Sequence, residues 1–189
     1  MKVAAVTALL LACSACRSHT EFPDYGVVPQ FQLTAQDGQA FDSSVLKGKI
    51  WVADFIFTRC GNTCPIMTSK MVELQKRITD PRVVFVSFSV DPDRDKPADL
   101  KAYAARYKAD ESRWRFLSPP DAKSILSVAM GMRITGPPKE NNNPLLHADR
   151  FLLIDQHLKV RGSYYEGDEE AMKRLVSDAG ALARMQGGE

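Results

Sequence analysis

Two apolar runs dominate the hydrophobic pattern of this chain, at residues 50–57 (IWVADFIF) and 82–90 (RVVFVSFSV). Runs of this length, rich in β-branched and aromatic residues, are typical of strands that are buried on both faces of a sheet. Between them, apolar residues recur at helical spacing, as at Met67, Met71 and Leu74. The pattern therefore predicts strands that alternate with helices.

The rest of the chain divides into short elements at turn-forming residues. A hairpin is predicted around the QDGQ turn at 36–39, and Pro65 and Pro97 stand where helices tolerate proline, in a first turn. We predict a hairpin, then β-α-β-α-β-α, then two antiparallel strands and a terminal helix. This alternation indicates an α/β sheet with crossover helices. The ending is the one expected of a thioredoxin-like fold, here with an N-terminal β-hairpin extension.

The first residues form a separate apolar segment. A single lysine precedes the apolar stretch 3–12, which is too short to span a bilayer as a helix and is typical of a signal peptide. It ends in LLAC at 10–13, which resembles the bacterial lipoprotein box and implies cleavage before Cys13 and acylation of that cysteine. We interpret 1–12 as the signal peptide, 13–28 as a polar tether and 29–189 as one folded domain. The alternatives are an uncleaved segment or an ordinary signal peptide that is cut elsewhere.

Charge and composition narrow the class of protein. The 25 basic and 23 acidic residues leave a formal charge of +2, which does not favour nucleic acid or an anionic membrane surface as a partner. Hydrophobic residues make up 44% of the chain, enough for the core of a globular domain. Export would place this domain in an oxidising compartment.

The cysteines carry the candidate chemistry. Cys13 and Cys16 lie in or beside the export signal, which leaves Cys60 and Cys64 as the pair in the folded domain. This pair brackets the junction between a buried strand and a helix, where unpaired backbone N–H groups and the helix dipole stabilise a thiolate. With the cation of Arg59 beside it, the thiol pKa should fall.

The spacing of the pair leaves two interpretations open. Residues four apart on a helix share one face, so both sulfurs can aim at one point, which suits a metal ion at least as well as a disulfide. A plain stabilising disulfide would close so short a loop that it contributes only about 2 kcal/mol. Both interpretations use Cys60 and Cys64.

Three segments together resemble the Sco/SenC family. They are FTRCGNTCP at 57–65, SVDPDRDKP at 89–97 and LHADRFLLID at 146–155, in the order that the family has them. The resemblance extends from about residue 31 to the terminal helix. It implies a thioredoxin fold in which Cys60, Cys64 and His147 bind copper. Soft thiolates select Cu(I) and imidazole also suits Cu(II), so this ligand set fits either oxidation state.

The resemblance also implies a function, with alternatives. The first hypothesis is a copper chaperone, lipid-anchored at the periplasmic face of a membrane. It would pass copper to the apo form of the copper-containing subunit of cytochrome c oxidase, served by an upstream copper donor or thiol reductant. The second is a thiol–disulfide oxidoreductase in which Cys60 and Cys64 are the redox-active thiols. A peroxiredoxin-like peroxidase is disfavoured because Gly61 replaces that family's threonine, and an adaptor domain requires inert cysteines.

Four other residues could bear on the site. Asp91 and Asp95 could orient metal ligands, or they could cap the helix that opens at Pro97, and capping is the preferred interpretation. His19, in the tether, and His157, in a predicted hairpin turn, are expected to be solvated surface residues.

Overall fold

The computed structural model describes residues 21–133 and 149–186. These residues form seven strands, four α-helices and a short 3-10 helix at Ser43–Leu46. The strands are β1 Gln32–Ala35, β2 Ala40–Asp42, β3 Ile50–Ile56, β4 Val83–Ser89, β5 Trp114–Ser118, β6 Arg150–Ile154 and β7 Val160–Tyr165. The helices are α1 Thr63–Arg77, α2 Pro97–Arg106, α3 Ala122–Gly131 and α4 Glu169–Gln186.

All seven strands belong to one sheet, in the order β2-β1-β5-β4-β3-β6-β7. The three central strands β3, β4 and β5 are parallel, and the strands on either side of them pair antiparallel. The helices α1 and α2 are the crossovers that parallel neighbours require. The predicted order of elements, including the N-terminal hairpin, is confirmed.

Hydrophobic cores cover both faces of the sheet. Alternate residues of β3 point to opposite faces, so that Val52 packs with α1, α2 and α4 whereas Trp51 packs with α3. Every residue of β3 is at most 3% exposed. Burial on both faces explains why this segment is a continuous apolar run rather than an alternating one.

The end of the segment assigned to the tether is attached to the β6–β7 hairpin. The backbone N–H of Tyr25 donates to the carbonyl of Val160 at 3.0 Å, and that of Val28 donates to the carbonyl of Leu158 at 2.8 Å. Lys159 also forms an ion pair with Asp24 at 2.8 Å. Residues 24–28 therefore run along the hairpin and contribute backbone partners to it.

Candidate thiol and metal site

The two cysteines lie where the strand–helix junction was predicted. Cys60 is half-buried in the loop after β3, and Cys64 is the second residue of α1 and only 6% exposed. The backbone N–H of Cys64 donates to the sulfur of Cys60 at 3.4 Å, and both thiols are free of a disulfide. The start of the helix thus directs its N–H groups at one sulfur while the other is packed into the core.

Cys60 is the thiol that favours the thiolate. Partial burial raises its pKa, but backbone N–H groups at the start of α1, led by that of Cys64, outweigh this effect, and the pKa of Cys60 lies below its ordinary value. Hydrogen bonds to a charged form stabilise that form. The expected fall in thiol pKa therefore holds for Cys60, where the backbone N–H groups account for it and Arg59 is an exposed neighbour.

Cys64 has the opposite character. Burial raises the pKa of Cys64 to about 12, and the neighbouring Cys60 and the Asp54 carboxyl act in the same direction. For this cysteine the expectation of a lowered pKa is wrong, because its sulfur lies in the core that α1 forms with the sheet. The site therefore pairs a partly exposed thiol whose pKa is lowered with an enclosed thiol whose pKa is raised.

A third metal ligand is not found among the residues that the structure describes. Within 21–133 and 149–186, no group of three or more His, Cys, Asp or Glu side chains could hold a metal ion. His147, which the family resemblance implies as the third ligand, lies outside the described residues, as do Cys13, Cys16 and His19. His157 is exposed in the turn before β7, as expected.

Asp95 does not cap α2, and the preferred interpretation of this residue was wrong. Its side chain is fully buried and accepts hydrogen bonds from the Thr58 N–H at 3.0 Å, the Thr58 hydroxyl at 2.5 Å and the Ser89 hydroxyl at 2.7 Å. The backbone N–H of Lys96, the N-cap residue of α2, donates to Asp99 instead, at 3.1 Å. The carboxylate of Asp95 is therefore directed at the loop that carries Cys60.

Asp91 does not cap α2 either. Its carbonyl oxygen accepts the backbone N–H groups of Arg94 and Asp95, at 3.2 and 2.9 Å, and its carboxylate lies 3.4 Å from the Arg94 guanidinium. These contacts are local to the turn between β4 and α2. Capping failed as an explanation because the Asp91 side chain faces Arg94 within the turn and the Asp95 side chain is taken up by Thr58 and Ser89.

Asp54 is a buried carboxyl that the sequence interpretation missed. It lies in the middle of β3, opposite Ser87 on β4, and is fully buried. Among the described residues neither of its carboxyl oxygens has a hydrogen-bond partner. Burial without such a partner raises the pKa of Asp54 to about 7. The available signal was the single carboxyl that interrupts the apolar run 50–57.

Comparison with known proteins places this site in a family context. The sequence profile of the SCO1/SenC family matches residues 20–179. A relative from Bacillus subtilis (strain 168), described as a SCO1 protein homolog, is 33% identical over 166 residues, which cover 86% of this chain and 86% of the relative. The matched region includes Cys60 and Cys64.

Solved structures with the same fold bear on copper and on redox chemistry. A SCO1/SenC family lipoprotein from Bacillus anthracis is 39% identical with a TM-score of 0.75, over 84% of this chain and 95% of that one. BsSco, described as a cytochrome c oxidase assembly protein with a disulfide switch, is 32% identical with a TM-score of 0.73, over 86% and 95%. Copper-bound ScoI from Bradyrhizobium japonicum is 25% identical with a TM-score of 0.66, over 83% and 99%. These likenesses confirm the thioredoxin-like fold.

Proposed function

Because this chain belongs to the SCO1/SenC family, we propose that it is a copper chaperone that binds the metal through Cys60 and Cys64. The recipient would be the copper-containing subunit of a cytochrome c oxidase, during assembly of its dinuclear copper site. The observation that carries the proposal is the pair of free thiols at the start of α1, one of them stabilised as a thiolate. A structural relative with bound copper and one described as an oxidase assembly protein support it.

Copper is the cargo, and the two thiols would receive it in sequence. Cys60 has the lower pKa of the two thiols, so its sulfur would lose its proton more readily and form the first bond. Cys64 holds its proton until it binds, because burial keeps its pKa at about 12. Metal binding releases such protons, so copper affinity should increase with pH. His147 completes the proposed ligand set, and its imidazole would allow Cu(II) as well as Cu(I) to bind.

Copper would be transferred to the oxidase subunit at the exposed side of the loop that carries Cys60. Cys60 is half-exposed, and its neighbours Gly61 and Asn62 are exposed. Ligands of an apo-oxidase subunit can therefore approach the Cys60 side of the metal, while Cys64 stays behind it in the core. The enclosed sulfur would be the last ligand to release the cargo.

Copper titration of the reduced protein tests the ligand set. We expect one equivalent of Cu(I) to bind to the wild type, and no tight binding to Cys60→Ser or Cys64→Ser. His147→Ala should lower the affinity and change the Cu(II) absorption spectrum. His157→Ala is the matched control, since this histidine is exposed in a turn and should leave both unchanged. A wild type that binds no copper would refute the proposal, and identical behaviour of His147→Ala and wild type would refute the third ligand.

The difference between the two thiols favours a second candidate function, a thiol–disulfide oxidoreductase. The Cys60 thiolate would attack a partner disulfide, releasing one partner thiolate and forming a mixed disulfide. Cys64, once deprotonated, would attack Cys60 sulfur and release the reduced partner. Cys64→Ser should then accumulate the mixed disulfide and Cys60→Ser should not. Absence of any such adduct in membrane extracts would count against this function.

The same proposal includes export and a lipid anchor at Cys13. A structural relative is described as a lipoprotein, and in the described residues no helix is long and apolar enough to cross a membrane. We propose that the mature chain begins at acylated Cys13 on the periplasmic face of a membrane. Mass spectrometry of the protein and of Cys13→Ala tests this, with Cys16→Ala as the control. An unmodified Cys13 would contradict it.

A further inference from the structure

Asp95 connects three parts of the molecule that are distant in sequence. Its carboxylate accepts two hydrogen bonds from Thr58, 37 residues earlier, and one from Ser89 at the end of β4. Its backbone carbonyl accepts the hydroxyl of Ser118, at the end of β5, at 2.7 Å. Because β3, β4 and β5 are parallel neighbours, these partners meet at one edge of the sheet, where the loop with Cys60 also begins.

The complete burial of the Asp95 carboxylate is not explained by packing alone. Burial of an ionised side chain is costly unless donors satisfy it. Asp95 is 0% exposed, and the donors that satisfy it include both the N–H and the hydroxyl of Thr58. Thr58 stands two residues before Cys60 in the same loop. The two hydrogen bonds between Thr58 and buried Asp95 therefore anchor the upstream end of this loop.

The downstream end of the loop has fewer described contacts. Among the described residues, no atom lies within 4 Å of the place where a Cβ at Gly61 would be. Asn62, the N-cap residue of α1, makes no capping hydrogen bond with its side chain. The Cys60 N–H donates to the Phe57 carbonyl at 3.2 Å, again on the upstream side. The upstream contacts therefore fix the backbone that carries Cys60, and its sulfur then meets the Cys64 N–H at the start of α1.

We propose that Asp95 is a positioning residue for Cys60, acting through Thr58 to hold the sulfur against the N–H groups that begin α1. The Asp95 side chain bonds to Thr58 and Ser89, so its effect on the sulfur passes through the backbone of the loop. The inference deepens the proposed function, since it takes Cys60 as the reactive thiolate. Its consequence is that the chemistry of Cys60 depends on the loop between β4 and α2, which the sequence interpretation assigned to helix capping.

The test is the thiol–disulfide equilibrium of the metal-free full-length protein with glutathione. In that exchange the Cys60–Cys64 bond breaks and two glutathione thiols join as glutathione disulfide, so that two electrons pass to the protein. Thr58→Val removes the hydroxyl that donates to Asp95 and keeps the shape of the side chain. Loss of this charge-assisted bond should shift the equilibrium constant toward the protein disulfide by about tenfold, or about 30 mV.

Three further variants separate positioning from a general brace of the fold. Thr58→Ser keeps the hydroxyl and should stay within about twofold of wild type. Asp95→Asn should shift the equilibrium at least as far as Thr58→Val, because its amide group cannot accept from all three donors. Ser43→Ala is the control for lost stability: this buried hydroxyl accepts the Phe31 N–H at 3.1 Å, near the N-terminal hairpin. It should destabilise the protein and leave the equilibrium constant unchanged.

The outcomes distinguish this proposal from the proposed function. If Thr58→Val changes the equilibrium no more than Ser43→Ala does, Asp95 only braces the fold and the positioning role is overturned, whether or not the wild type binds copper. A second outcome is that Thr58→Val shifts the equilibrium, Thr58→Ser keeps the wild-type value and the wild type binds no copper. In that case the positioning role stands and the chaperone function fails. Where copper binds, the Cu(I) affinities of the variants should follow the same order as their equilibrium constants.

Discussion

The buried carboxyl of Asp54 makes stability depend on pH in a direction that can be measured. In the folded protein, burial raises the pKa of Asp54 to about 7 from an ordinary value of 3.8. Between these two values the folded state keeps a proton that the unfolded state has lost. Unfolding then releases a proton, so wild-type stability decreases as pH rises through this window and levels off above about pH 7. Asp54→Asn has no proton to release.

The size of the effect follows from the two pKa values. The gap between 3.8 and about 7 corresponds to about 4 kcal/mol at about 1.4 kcal/mol per pH unit. A titration from pH 4.5 to pH 8 covers about 3 kcal/mol of this change in the free energy of unfolding. The free energy of unfolding of Asp54→Asn relative to wild type should therefore increase by about 3 kcal/mol over that range.

Urea denaturation under reducing conditions provides the assay. Trp51 and Trp114 are fully buried, so their fluorescence should report global unfolding. Other carboxyls titrate in both proteins and cancel in the difference between variant and wild type. Asp93→Asn is the matched control, because it makes the same change at an exposed aspartate and should not reproduce the increase of about 3 kcal/mol. A pH-independent difference for Asp54→Asn as well would refute the reasoning about burial.

Three further predictions concern the two thiols, the core under α1 and the N-cap of α3. Iodoacetamide at pH 7 should alkylate Cys60 well before Cys64, because the N–H groups of α1 favour only the Cys60 thiolate; peptide mapping that finds Cys64 modified first would contradict this. Met71→Ala should lower the free energy of unfolding by about 2–5 kcal/mol because Met71 is fully buried between α1 and the sheet, whereas exposed Met130→Ala, measured by the same urea titration, should change it little. Asp121→Ala should cost about 1 kcal/mol, because the Asp121 carboxylate accepts the Ser124 N–H at 2.7 Å at the start of α3; a loss below the error of denaturation curves would show that this cap does not stabilise the helix.

Much of the fold follows from local pattern. The run 50–57 predicted a strand buried on both faces, and β3 occupies 50–56 with cores against both sides. The helix predicted to hold Pro65 in its first turn begins at Thr63, two residues earlier. Such predictions succeed because the side-chain periods of strands and helices are properties of a few adjacent residues.

The roles of the acidic residues were not predictable in this way. Asp95 lies one residue before the N-cap of α2, and its position alone favoured capping. Its actual partners, Thr58 and Ser89, approach it only because β3 and β4 are adjacent in the sheet. The burial of Asp54 opposite Ser87 likewise depends on the pairing of β3 with β4.

The amino-acid sequence by itself determined the elements, their order and the position of Cys60 and Cys64 at a strand–helix junction, because each depends on residues within a few positions of one another. Only the tertiary structure decided that the two thiols differ, with the pKa of one lowered and that of the other raised to about 12. That difference depends on burial and on N–H direction, which arise when α1 packs on the sheet. Burial and hydrogen-bond geometry exist only in the folded protein. Their effects on the thiol pKa values therefore cannot be read from the spacing of the cysteines in the chain.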